Sequence, residues 1–182
     1  VEDNEHWYKE TTPNLEFFRH TYMDSTKTYD LVGNKIYNVS GKLVVNEHPK
    51  YKYLPGIYAG LDFKYEKYNQ RTSYDSVTRT ESFGTDKYMG TYITGGIFNV
   101  DSNALFTYDL AGSLCVVGHY AGNFKISGYL EQALKKDKSS YLRADALVEL
   151  RSVDPFFSRY VGNHDRWEND FKAEKTIKVE GR

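Results

Sequence analysis

A chain of 182 residues with 24 Lys and Arg against 25 Asp and Glu is close to neutral, which excludes the basic surface that non-specific nucleic-acid binding needs. Its 17 Tyr and 10 Phe against 4 Pro suit a pleated sheet, while a single cysteine, Cys115, excludes an intrachain disulfide and a cysteine-based zinc cluster. There is no run of about eighteen apolar residues, which rules out a transmembrane helix but not a membrane barrel, whose strands need only about nine to eleven residues each. The length predicts one domain, and no repeat, low-complexity tract or linker divides it.

The first ~30 residues carry no clear period, and Val1 opens the chain without a methionine or an apolar leader, so a processed or partial chain is expected. A weak strand is predicted over residues 35–45, through Tyr37, Val39, Leu43 and Val45. Residues 57–66 alternate more clearly, with Ile57, Ala59, Leu61, Phe63 and Tyr65 against Tyr58, Gly60, Asp62, Lys64 and Glu66. Residues 88–100 place Tyr88, Tyr92, Phe98 and Val100 on one parity, but the other parity, Met89, Thr91, Ile93 and Ile97, is not polar.

The next three segments give the strongest period of two. Residues 104–116 set Ala104, Phe106, Tyr108, Leu110, Gly112, Leu114 and Val116 against Leu105, Thr107, Asp109, Ala111, Ser113 and Cys115. Residues 124–134 set Phe124, Ile126, Gly128, Leu130 and Leu134 against Lys125, Ser127, Tyr129, Glu131 and Ala133. In 142–150, Leu142, Ala144, Ala146, Val148 and Leu150 oppose Arg143, Asp145, Leu147, Glu149 and Arg151; helical spacing would scatter those charges around the axis, so a strand is predicted. A last strand is predicted over 166–179, with Trp167, Phe171, Ala173, Ile177 and Val179 on one side.

The expected connections are 46–53, 70–86, 101–103, 117–123, 135–139 and 154–163, alternately shorter and longer. In an up-and-down meander this puts tight turns at one end and long polar loops at the other, as in outer-membrane barrels. Two hairpin registers follow. Across 135–139, Glu131 faces Arg143, Lys125 faces Glu149 and Leu130 faces Ala144; across 101–103, Phe98 faces Phe106 and Gly96 faces Tyr108 on the apolar side.

A soluble β-sandwich alternates too, but three features favour a membrane wall. Strands of about eleven to thirteen residues exceed the five or six usual in globular sheets. Gly and Ala on the apolar parity would leave voids in a two-sheet core, and aromatics gather near strand ends, as an interfacial girdle requires. The polar parity supplies pore-lining candidates Lys125, Glu131, Arg143, Asp145, Glu149 and Arg151, and the apolar parity supplies lipid-facing candidates Phe98, Phe106, Tyr108, Leu110, Leu114, Ile126, Leu130 and Val148.

No residue set makes a catalyst. His6, His20, His48, His119 and His164 lack metal-ligand spacing, and neighbours such as His164 and Asp165 point to opposite faces of a strand. Asp145 and Glu149 are about 13 Å apart in a strand, too far for a glycosidase pair. Thr94-Gly95-Gly96-Ile97 reads as a strand glycine site, and Asn38-Val39-Ser40 as a chance glycosylation triplet.

The segment Val153-Asp154-Pro155-Phe156-Phe157 with Tyr160, then Gly162-Asn163-His164 and Arg166-Trp167-Glu168-Asn169-Asp170-Phe171, resembles the porin family of Bacteroidetes outer membranes, with looser likeness from Ile57 onward. The resemblance implies a large even-stranded barrel, signal-directed export and passive or substrate-selective diffusion, without a cofactor. Such porins are longer and end in a strand with a terminal aromatic, so the chain is expected to be a fragment that does not close a barrel alone. The expectation is thus an all-β antiparallel up-and-down meander, 1–182 as one segment of an outer-membrane β-barrel, meeting lipid and small solutes, with no metal and no enzymatic activity. Oligomerisation stays open. The rivals are a soluble or periplasmic β-barrel or sandwich that binds a ligand or partner protein, and an envelope enzyme on the same scaffold.

Overall fold

The alternating segments form long antiparallel strands in the computed structural model, which describes residues 2–10, 20–25, 28–47, 54–75, 77–78, 80–100, 104–135 and 139–182. In chain order the strands are β1 (Glu2–Glu10), β2 (Thr28–Val45), β3 (Gly56–Asp75), β4 (Thr80–Asn99), β5 (Phe106–Gly118), β6 (Phe124–Ala133) and β7 (Tyr141–Arg151). After them come a one-turn helix α1 (Pro155–Ser158), the short pair β8 (Arg159–Val161) and β9 (Arg166–Glu168), and β10 (Glu174–Gly181). Eight strands make one sheet in the order β1-β2-β3-β4-β5-β6-β7-β10, and β8 pairs with β9. The predicted all-β meander is the observed fold, and among the described residues the sheet is open, with β1 and β10 as its edges.

The β6–β7 register matches the expectation from opposite charges: Glu131 faces Arg143, Lys125 faces Glu149 and Leu130 faces Ala144. The β4–β5 register does not. Phe98 pairs with Asp109 and Gly96 with Ala111, so Phe98 lies on the opposite face from Phe106 and is no longer a lipid-facing candidate. The cause is the weak polarity of β4: the observed register sets Ile97 against Leu110 and Ile93 against Leu114, and the irregularity at Thr91/Tyr92 absorbs the offset. Gly96 is indeed covered by an aromatic ring, but by Tyr58 of β3: a Cβ at 96 would lie 2.6 Å from Tyr58 Cε1.

Two further expectations change. Residues 70–86 are not a loop, because β3 and β4, 20 residues each, continue the hairpin almost to its tip. Polar residues on both faces looked like loop, yet they hold the ladder with side-chain bonds: Thr72 Oγ1 donates to Ser82 O, Thr85 Oγ1 donates to Asn69 Oδ1, and Asp75 Oδ1 accepts from the N–H groups of Val77 and Thr78 at the turn. The predicted strand 166–179 is split into β9 and β10, because Asn169 turns back to donate from its N–H to Ser158 O and from Nδ2 to Phe157 O. After β5 the chain turns tightly through Gly118 and Gly122, both at positive φ (103° and 93°). The expected 101–103 connection lies outside the described residues, as do 48–53 and 136–138 of two others.

Packing divides the chain into two units. One comprises Val39–Phe63, Met89–Ser152 and Ala173–Arg182; its large apolar side chains are mostly exposed on one face, among them Leu43 (83%), Leu61 (60%) and Leu130 (54%). The other comprises Val1–Asn38, Lys64–Tyr88 and Val153–Lys172, and holds most of the buried polar residues. There Tyr68 meets Tyr88 and Phe156 edge-on, and Tyr160 stacks on Trp167 at 4.4 Å. Burial, with Asp30 and Asp165 nearby, pushes the Tyr160 hydroxyl up to about 12, so it stays a neutral donor at any physiological pH.

Candidate functional site

The polar parity of β5, β6, β7 and β10 forms one ladder whose rows follow from the registers. Asp109, Tyr129, Asp145 and Glu180 share a row; Ser127, Leu147 and Lys178 share the next, and Lys125, Glu149 and Thr176 the one after. All six pore-lining candidates fall on this face. Two of them, Lys125 and Asp145, line a concavity of ≈470 Å³ together with Asp109, Tyr129, Lys178 and Glu180.

Arg143 is the hub. Its Nε donates to both Asp145 carboxylate oxygens at 3.1 and 3.0 Å, and its Nη2 donates to Asp145 Oδ1 at 2.8 Å. Nη1 reaches Glu131 Oε2 at 3.5 Å, and the guanidinium lies 3.9 Å over the Tyr129 ring. A planar donor fork can satisfy one carboxylate bidentately and stack on an aromatic at once, which an ammonium cannot. Farther along, Arg151 pairs with Glu174 at 2.9 Å and Lys178 with Glu180 at 2.7 Å. Fixed charges of both signs at this spacing can bind water and sort ions by sign and size. No group of three or more His, Cys, Asp or Glu placed to hold a metal ion occurs among the described residues.

Asp109, Tyr129, Lys178 and Glu180 belong to this face but were not singled out in the sequence. Each carries the correct parity in its own strand, so registering four strands at once was the missing step. The opposite face holds seven of the eight lipid-facing candidates: Leu114 and Phe124 share a row, as do Ile126 and Val148, and Tyr108 and Leu130 share another, with Leu110 against Gly128 between them. Phe106 ends the face opposite Gln132. The His164 ring is buried between Thr28 Oγ1, 2.6 Å from Nε2, and His20 O, 2.8 Å from Nδ1.

No curated protein and no solved structure matches the chain. The family model described as "Putative porin" matches residues 1–182, the whole chain, and with its all-β antiparallel meander the chain belongs to this porin family.

Proposed function

We propose that the chain forms part of the wall of an outer-membrane β-barrel through which small solutes diffuse, its apolar face toward lipid and its polar face toward water. One observation carries this reading: a single sheet presents row upon row of large exposed apolar side chains on one face and a continuous charged ladder on the other. Exposed apolar area on this scale marks a surface that something else covers, and β5, β6 and β7, with 13, 10 and 11 residues, are long enough to cross a bilayer's hydrocarbon core when tilted. In hydrocarbon the free edges of β1 and β10 need partners, so each pairs with another strand there. The turn between β3 and β4 faces outward by analogy with the longer extracellular connections of such barrels.

The test is conductance in planar bilayers. Wild-type protein is expected to form ohmic pores, and Arg143→Gln to shift the reversal potential toward cations, by about twofold in relative permeability, because Glu131 and Asp145 lose their guanidinium. A pore with unaltered selectivity would show that this face does not line the conducting path. Folded protein that stays monodisperse without detergent would overturn the membrane reading itself.

A further inference from the structure

The charges on the ladder of β5, β6, β7 and β10 are not all paired with one another. Arg143 is held by Asp145 and Glu131, and Lys178 by Glu180, so the flanks of the ≈470 Å³ concavity are neutralised from within. Asp109 and Lys125 line the same concavity but form no ion pair and no side-chain hydrogen bond among the described residues. Lys125 faces Glu149 across the β6–β7 ladder, yet their charged groups do not close to ion-pair distance. The β5–β6 register sets the two unpaired charges at opposite ends. Asp109 faces Tyr129 in the first row, Ala111 faces Ser127 in the second, and Ser113 faces Lys125 in the third. The short side chains of Ala111, Ser113 and Ser127 leave depth between a carboxylate at one end and an ammonium at the other.

We propose that this concavity is a binding subsite for zwitterionic solutes of the length of a short peptide, whose ammonium meets Asp109 and whose carboxylate meets Lys125. The proposal names a solute class for the face that the porin reading turns toward water, and it rests on that reading for the solute's route. Spacing selects the length. Four residues of β6 separate Tyr129, in the Asp109 row, from Lys125, roughly 13 Å of strand. The flexible Lys125 stem can bridge part of that gap, and an extended tripeptide spans about 10 Å. A single amino acid carries both charges beside one carbon and reaches one end only. A solute with one charge is attracted at one end and repelled at the other. The volume of the concavity falls within the ~300 to 1,000 Å³ usual for small-molecule sites.

Ligand-observed NMR titration of trialanine against the complete protein in an uncharged detergent tests the proposal. Wild type is expected to bind free trialanine about tenfold more tightly than the same peptide acetylated at its amino end or amidated at its carboxyl end, because each block removes one charge-assisted contact. Asp109→Asn is expected to lose about tenfold in affinity for free trialanine and none for the acetylated peptide, and Lys125→Gln to show the same pattern with the amidated peptide. A general disturbance of the face by either substitution does not reproduce that matching. Equal affinity of wild type for free and doubly blocked trialanine overturns the subsite without any variant, and so does tighter binding of a singly blocked peptide than of the zwitterion. Planar bilayers separate the two readings: pores that conduct while the protein discriminates no peptide leave the porin reading standing and remove the subsite, whereas discriminating binding by a protein that forms no pores does the reverse.

Discussion

Arginine at Leu110, Ile126, Ala146 or Val148 is expected to destabilise the protein in lipid vesicles by about 2 to 4 kcal/mol, and at Phe106 or Leu142 by about 0 to 1. The registers fix this gradient. Phe106, Gln132 and Leu142 form the row at one end of the apolar face and Leu114, Phe124 and Leu150 the row at the other. Leu110 with Gly128 and Ala146 form the middle row and Ile126 with Val148 the next, so both lie inside the two end rows. With lipid on this face, as proposed, a guanidinium there would be held in hydrocarbon or drag water and headgroups inward, whereas an end-row Arg would reach the interface by extending its stem. Ala146 is the discriminating position. Its small side chain fills little volume, so a packed core would punish its replacement through overpacking, with a cost that follows contacts and not depth. Equilibrium unfolding of the Arg series in vesicles of known thickness measures the profile. A cost that is flat along the strand, or that ranks with side-chain packing, would rule out lipid on this face.

How much of this was legible depended on how local each signal is. The β6–β7 hairpin could be registered from sequence because two opposite-charge pairs and one apolar parity agree on the same alignment, and any one-residue slip would invert both faces. β4 could not, since Tyr92 and Phe98 on one parity and Ile93 and Ile97 on the other are all apolar. What separates them is the neighbour: Tyr58 and Phe98 lie over glycines on the polar side, Gly96 and Gly56, where a ring protects bare backbone, while the isoleucines join Leu110 and Leu114. The far part of the β3–β4 hairpin was hidden for the opposite reason. A sheet region with polar residues on both faces has no period to read, and its strand character comes from the ladder itself. The charged face was readable one strand at a time, but Arg143 became its hub only once Glu131 from β6 and Asp145 from β7 were brought beside it.

The knot around Asn163 was marked in the sequence only by the family likeness of Gly162-Asn163-His164, with no period to show its role, and it carries the second large expectation: Asn163→Ala should free residues 20–24 and 161–164 by about 3 kcal/mol, a rise of roughly 10²-fold in amide exchange there. Asn163 is fully buried, and its amide acts as a piece of backbone for a distant segment. Oδ1 accepts from Met23 N at 3.1 Å and Asp24 N at 2.9 Å, and Nδ2 donates to Asp24 O at 2.9 Å. Alanine removes these three bonds, and with them the 3.3 Å contact of Nδ2 with His164 Nε2, but leaves the main-chain ones, Asn163 N to Asp30 Oδ1 and Tyr22 N to Asn163 O, so the segment loosens without coming away. Asn163→Asp is expected to be no milder, since a carboxylate cannot donate to Asp24 O and stands near Asp30. Burial outweighs the Asn163 N–H bond and the charge of Arg71, and so holds the Asp30 carboxyl above the usual carboxylate range. With the folded value raised, the ionised carboxylate costs stability above it, and that cost disappears as pH falls through it, so Asp30 tightens the knot in acid instead of releasing it. Hydrogen exchange followed by mass spectrometry on peptides covering 20–24 and 161–164, with β6 and β7 as an internal reference, reads the effect directly. Exchange that rises equally in β6 and β7 would mean that Asn163 supports the whole sheet, and exchange unchanged at 20–24 would mean that these three bonds do not hold the segment.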